Sequence, residues 1–522
     1  MHPDQAGLIK LVAILIMPFV GWIVAAEKFI GLQGPKISAM IELAPQTLQH
    51  PPLIIGLVLG CVASGIVIAL SSIDTRKGFK GAKFDRHLRG TEMTTPSDLK
   101  RKTKERDKKK KQVTIAEIPI PLEIETLHFL LNGATGTGKS VSMRELSFSA
   151  MLRGDRMVIL DPNGDMLSKF GREKDIILNP YDSRSKGWSI FNEIRNDFDF
   201  ERFALSLVPR GASDDGEEWR EYGRLIVECV SRKLNEAGDR SIKSLFHWCT
   251  IAEMEELRDF LEGTKAQSLF AGSSEASKAL TSARFVLSSS LSKHVDMPGG
   301  DFSIRDWLDE GGDGNIYITW REDMAEALKP IISTWVDIYF SSVLSLPESK
   351  NRRLWAFIDE LASLSKLPSL EAALTKGRKH GLRVVAGLQS TAQLDRIYGR
   401  EEAQTIRACF RSLVVLGGSK DDPQTNEDMS KSIGEHEVER DRFSMNMGGG
   451  RGNTSSQSKE RNRERVIMPS EIATLPNLEA IIALAGNLPI TRTKLVPKQF
   501  KARLEPFIEK TVQIDTEFLT NA

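Results

Sequence analysis

The chain has 522 residues, 40% of them hydrophobic and 27% charged, with a formal net charge of +1 at pH 7. That length suits more than one packed domain, and a net charge near zero points to no acidic or basic partner from composition alone. The four cysteines, Cys61, Cys229, Cys249 and Cys409, form no CxxC pair and stand at no metal-ligand spacing, which leaves four reduced core thiols in a cytoplasmic setting.

The first 75 residues read as a membrane hairpin. Leu8 to Ala26 is apolar apart from Lys10 and is about 28 Å long as a helix, close to a hydrocarbon core. Pro18 falls mid-span, which a membrane helix tolerates. The second span, Pro52 to Ile73, carries no charge and sets Gly56, Gly60 and Ser64 four residues apart, a small-residue face for close helix contact. Arg76, Lys77, Lys80, Lys83, Arg86 and Arg89 follow, so the positive-inside rule places both termini and the bulk of the chain in the cytoplasm. A cleaved signal peptide ending near Val24-Ala25-Ala26 is the rival reading and leaves the large domain on the same side.

Lys100 to Lys111, KRKTKERDKKKK, reads as a solvated linker, or as a segment that meets anionic lipid headgroups or nucleic-acid phosphates. GATGTGKS then spans Gly133 to Ser140, after the strand-like run LHFLLN and before a helical stretch. Gly133, Ala134, Thr135, Gly136, Thr137 and Gly138 would turn backbone N–H groups toward phosphates at a helix amino terminus. Lys139 would reach the β- and γ-phosphates and Ser140 would bind Mg²⁺.

RLWAFIDEL, Arg353 to Leu361, supplies the acids that complete such a site. Asp359 would orient a Mg²⁺-bound water and Glu360 would polarise the attacking water. The pair favours an ATP-hydrolysing motor over a GTPase or a small kinase. RVVAGLQS ends in Gln389, which either senses the γ-phosphate or merely precedes Ser390, a cap for the next helix.

Further buried-strand runs are RMVILD (from Arg156), NIYITW (from Asn315), SLVVLG (from Ser412) and AIIALAG (from Ala480). Helical stretches separate most of them, which predicts an α/β fold with a mostly parallel sheet; seven such strands suit a RecA-like core. The interval from Lys139 to Asp359 is too long for one or two strand–helix units. Asp197 to Leu291 fills it with helical patterning, predicting an inserted all-α domain that either only packs or contacts DNA or protein. Met445 to Arg465, rich in Gly, Ser and charge, reads as a mobile loop. The expected layout is a transmembrane hairpin (1–75, spans 8–26 and 52–73), a basic juxtamembrane linker (76–112), a nucleotide-binding domain in two parts (113–190 and 301–505), the all-α insertion (191–300) and a tail (506–522).

Taken together, the hairpin, GATGTGKS, Gly154 to Asp182, FIDELASL, LTKGRKHGLRVVAGLQS and Gly417 to Arg442 resemble the type IV secretion coupling proteins of conjugative plasmids, the TraD/TraG group. The resemblance runs from the hairpin to about Phe500. It implies a multi-pass inner-membrane ATPase using ATP and Mg²⁺ and assembled as a homo-hexamer around a channel. Its implied partners are single- and double-stranded DNA, the relaxase with its relaxosome accessory proteins, and type IV secretion channel components. It implies a γ-phosphate or coupling role for Gln389, and for Arg378 a role in the neighbouring subunit's nucleotide site. Residue patterning alone makes Arg378 a helix-end cation, with Lys376, Lys379 and His380. The alternatives are a septal ring translocase of the FtsK type, or an adaptor in which ATP serves only assembly. The absence of an LSGGQ-like signature argues against an ABC transporter.

Overall fold

The computed structural model describes residues 3–31, 40, 41, 43–71, 84–107, 110–211, 216–270, 274–312, 314–446 and 454–510. Its contacts divide the chain into two units: Met1–Thr95 with Gly434–Val466, and Pro96–Ile433 with Ile467–Ala522.

In the first unit, helices Pro3–Ala25 and Pro51–Ser71 pack together along the expected small-residue face. A Cβ on Gly60 would stand 2.6 Å from Pro18 Cα, and one on Gly56 2.5 Å from Ala25 Cβ, so backbones meet where side chains would hold them apart. Ser64 instead donates its hydroxyl to Gly60 O of its own helix, at 3.0 Å. Side chains are described for residues 14–25 and 51–67 of the two helices; Leu15, Phe19, Ile55 and Leu59 among them are exposed. Among the described residues no helix is long and apolar enough to cross a membrane. The rest of the two expected spans lies outside those side chains.

The same unit overturns the mobile loop expected at Met445 to Arg465. Strands Glu435–Asn446 and Thr454–Arg465 form an antiparallel pair, with residues 447–453 outside the described set, and Arg86–Gly90 adds a third strand. Register explains the order: Glu435, Glu437, Glu439 and Asp441 stand opposite Arg465, Arg463, Arg461 and Lys459. Opposite charges face each other across the strands, which stabilises a ladder that carries almost no apolar residues. The first part of the basic run is not a linker either. Helix Pro96–Thr103, in the second unit, buries Leu99 completely while Arg101 pairs with Asp98.

Nine strands of the second unit form one sheet among the described residues: β1 Phe129–Asn132, β2 Arg156–Pro162, β3 Ile176–Leu178, β4 Ile316–Trp320, β5 Leu354–Ile358, β6 Leu382–Leu388, β7 Ser412–Val415, β8 Glu479–Ala483 and β9 Ile490–Lys494. Their order is β9-β8-β7-β1-β6-β5-β2-β4-β3. The run from β7 to β3 is parallel, and β8 and β9 are antiparallel. This is the expected mostly parallel α/β sheet, with two differences in detail. The Ala480 run pairs antiparallel, and the seventh parallel strand is the short Ile176–Leu178.

Strands buried on both faces need unbroken apolar runs, and alternate residues of each serve opposite layers. Trp355 and Phe357 pack with Met143, Leu146 and Ala150 of helix Lys139–Arg153. Ala356 and Ile358 pack on the other side, with Trp335, Tyr339 and Phe340 of helix Ala325–Ser345. Between β3 and β4 the described residues form helices and no strand. Ile226, Val230 and Leu234 of Glu217–Glu236 meet Leu280, Ala283 and Leu287 of Ser274–Leu291 in the same core. The chain stays fastened past β9. Phe500 packs tilted against Phe148 and edge-on against Phe170, with ring centroids 4.8 Å apart in each pair. Arg503 N–H donates to Ser168 O at 2.7 Å, and Lys510 N–H to Tyr181 O at 2.8 Å.

Candidate nucleotide site

The loop that follows β1 is gripped from both sides. Gly133 N–H donates to Leu388 O at the end of β6 (3.1 Å), and Ala134 N–H donates to Gly417 O just after β7 (2.8 Å). Gly138 has φ +123°, and a Cβ there would stand 2.7 Å from Leu495 Cδ1, so this turn excludes every other residue. Thr137 Oγ1 donates to Ala134 O at 2.7 Å and tightens the loop. The helix then begins at Lys139, placing unpaired N–H groups at the loop.

Lys139 folds its amine back over the loop. Nζ donates to Gly133 O (2.5 Å) and Ala134 O (3.3 Å), and the residue is 8% exposed. Burial lowers its pKa, and the nearby Glu360 and Asp359 carboxylates push it part of the way back.

The acids come from β5. Ser140 Oγ stands 3.5 Å from Asp359 Oδ1, the outer limit of a hydrogen bond, so the two oxygens face each other across a narrow space. Both Glu360 carboxylate oxygens are buried without a hydrogen-bond partner. Burial raises the pKa of Asp359 and of Glu360; Lys139 pulls Asp359 back, and the nearby Gln389 side chain, Lys139 and the Ala362 N–H oppose the rise at Glu360. Two desolvated acids beside a hydroxyl suit a hard cation with oxygen ligands. Gln389, one residue past β6, reaches the loop: Thr135 Oγ1 donates to Gln389 Oε1 at 3.0 Å.

Arg378 is not brought to this cluster. It lies in the Gly377–His380 turn before β6, exposed, whereas Gln389 follows the strand's other end. A seven-residue strand spans about 23 Å, so the guanidinium cannot reach its own chain's phosphate loop. It lines a groove with Glu123, Arg352 and Lys376 instead.

The family model for the type IV secretion-system coupling protein DNA-binding domain matches residues 112–496. The chain belongs to the type IV secretion-system coupling protein family. Coupling protein TraD of Escherichia coli (strain K12) is 31% identical over 410 residues, covering 74% of this chain and 56% of TraD, so the chain spans little more than half that relative's length. The solved unbound structure of the bacterial conjugative coupling protein TrwBdeltaN70 is 63% identical with a TM-score of 0.79, covering 83% of this chain and 98% of that one. Structures of TrwB in complex with ADP and Mg²⁺, and with the non-hydrolysable ATP analogue ADPNP, are each 62% identical with a TM-score of 0.77, covering 83% of this chain and all of theirs.

In this coupling protein one buried acid beside the site was given no role from sequence. Asp161, next to last in β2, is 2% exposed, and its carboxylate accepts Met166 N–H (2.9 Å) and Leu167 N–H (2.6 Å). Burial pushes its pKa up to about 7; those hydrogen bonds oppose the rise, while Asp165 and Asp359 add to it. The signal was available: RMVILD closes an apolar strand on an Asp just as RLWAFID does. Asp161 is satisfied by the backbone of the next turn, so it caps that turn.

Proposed function

We propose that this chain is an inner-membrane ATP hydrolase that joins relaxase-bound DNA to a type IV secretion channel and drives single-stranded DNA through a homo-hexameric ring. The observation that carries the hydrolase reading is Glu360, whose two buried carboxylate oxygens lack a well-formed hydrogen bond, between Lys139 and Gln389. A buried, unsatisfied carboxylate is costly unless it has work at a reacting water. The TrwB complexes with ADP and Mg²⁺ and with ADPNP support the same ligands here.

The geometry supports the following mechanism. The N–H groups of Gly133 to Ser140 hold the phosphates, and Lys139 exchanges its two carbonyl partners for phosphate oxygens. Ser140 and Asp359 would hold Mg²⁺, which when bound neutralises charge on the β- and γ-phosphates. Glu360 takes the proton of the attacking water; burial raises its pKa, which makes its carboxylate a stronger base. Gln389 reads the γ-phosphate through Thr135. Arg378, out of reach of its own loop, serves the next subunit's site. Residues 1–75 tether the ring to the membrane, and the helices between β3 and β4 face the DNA substrate.

The test is ATP hydrolysis by the full-length chain in detergent, with and without single-stranded DNA, for wild type and Glu360→Gln. The expected result is DNA-stimulated turnover that Glu360→Gln removes while ATP still binds. Plasmid transfer at the wild-type level by Glu360→Gln would replace the motor reading with the assembly-only adaptor.

A further inference from the structure

The turn that presents Gln389 is not held by its own strand alone. Helix Pro423–Ile433 sets its first turn against it. Thr425 Oγ1 accepts Thr391 N–H at 3.0 Å and lies 3.3 Å from Ser390 Oγ and 3.2 Å from Thr391 Oγ1. Thr391 Oγ1 in turn donates to Asp428 Oδ2 at 3.2 Å, one helical turn further on. Asp422 fixes the start of this helix by accepting Thr425 N–H at 3.0 Å. Thr425 and Thr391 are 2% and 3% exposed, so water does not compete for these bonds.

The same helical turn also holds the other flank of the phosphate loop. Asn426 Nδ2 donates to Ser419 O at 2.7 Å, and the Gly417–Ser419 segment supplies the carbonyl that accepts Ala134 N–H. One helix start therefore fastens both strand-end turns that border Gly133 and Ala134.

From this we infer that Thr425 is a positioning residue for nucleotide turnover: its hydroxyl locks the Ser390–Thr391 turn so that Gln389 stays within hydrogen-bond distance of Thr135 and beside Glu360. The inference rests on the reading of Gln389 as the γ-phosphate sensor. The hydrogen bonds of Thr425 go to Ser390, Thr391 and Asp422, not to Glu360 or the phosphate loop. Thr425 acts through the main chain of Thr391, two residues from Gln389. A hydroxyl shared by three partners has no substitute in an isosteric valine, whereas serine keeps it.

The experiment measures ATP turnover and ADP affinity of the full-length chain for wild type, Thr425→Val, Thr425→Ser, Gln389→Ala and the double variant Thr425→Val/Gln389→Ala. Thr425→Val is expected to lower kcat about tenfold, since small displacements of a reacting constellation are costly, with ADP affinity within about twofold of wild type. Thr425→Ser is expected to keep the wild-type rate. The double variant is expected to turn over no more slowly than Gln389→Ala, because residues that act as one unit do not add. A merely structural threonine would instead multiply its loss onto that of Gln389→Ala, and that result overturns the inference. So does a wild-type rate for Thr425→Val while Gln389→Ala is impaired, which leaves the reading of Gln389 standing. A wild-type rate for Gln389→Ala removes the sensor reading and the inference with it. Should Thr425→Val fail to melt cooperatively, Thr425→Ala removes the same hydroxyl, and with it the acceptor for Thr391 N–H, and carries the same expectations.

Discussion

Ser140 Oγ and Asp359 Oδ1 stand 3.5 Å apart, although 219 residues separate them in the chain. Two strands bring them together. Phe129–Asn132 launches the phosphate loop, and Leu354–Ile358, separated from it by Leu382–Leu388 alone, ends at the acid. The pair predicts a specific defect. Asp359→Asn keeps the shape but removes the charge, so the Mg²⁺ concentration that supports half-maximal turnover is expected to rise at least about tenfold. Metal-free ADP binding is expected to change little. An unaltered Mg²⁺ titration would remove Asp359 from the metal's coordination.

Arg378 yields a complementation test. Lys139→Ala and Arg378→Ala are each expected to lower turnover by about a hundredfold or more, the scale of a lost transition-state cation. Arg378→Ala is expected to bind ADP normally, since its side chain lies at the other end of a seven-residue strand. Mixed together, the two variants form some sites that pair an intact loop with an intact arginine, and turnover is expected to recover in part. No recovery on mixing would count against a shared site.

Asp161 is expected to make the stability of the nucleotide-free protein depend on pH. Its pKa in the fold is raised to about 7 from an ordinary 3.8, so the folded state binds the proton more tightly than the unfolded chain. The resulting stabilisation is complete below pH 3.8 and is lost as pH rises through 7, an effect of a few kcal/mol at most. The thermal midpoint is expected to fall from pH 5 to pH 7.5, and to fall less steeply in Asp161→Asn. Equal slopes for the two proteins would show that other groups set the profile.

At the far end of the sheet, Glu125 is fully buried between two arginines. It accepts from Arg153 at 2.6 and 3.0 Å and from Arg383 at 2.8 Å, while Arg153 also pairs with the buried Asp155. Glu125→Ala leaves excess buried positive charge and is expected to cost about 3–5 kcal/mol in denaturant unfolding. A loss below about 1 kcal/mol would mean that water reaches the arginines.

How much of this was legible in the sequence depends on what forces each residue into place. Gly133 to Ser140 and Asp359 were readable because the loop's backbone demands glycine and because a buried strand demands an apolar run before its acid. The three-residue strand Ile176–Leu178 is too short for its period to register. The Ala480 run gives no sign of its antiparallel pairing, since direction is set by neighbours and not by side-chain pattern. Strand Thr454–Arg465 escaped for the opposite reason: it carries no apolar residue to set a period, and composition made Met445 to Arg465 a loop. Thr425 is invisible from sequence because its partners, Ser390 and Thr391, lie more than thirty residues away.

The segment after Ile490–Lys494 bears on how this protein is handled at the bench. Residues matched by the family model stop at 496, yet Phe500, Arg503 and Lys510 still hold on to Phe170, Ser168 and Tyr181. A recombinant version trimmed to the matched region would bare the aromatic face of Phe148 and Phe170 and free the backbone of Ser168, close behind the acid at 161. Poor solubility of such a trimmed protein would then report a missing strap and not an unstable sheet domain. Affinity tags placed beyond Lys510 leave that seam closed.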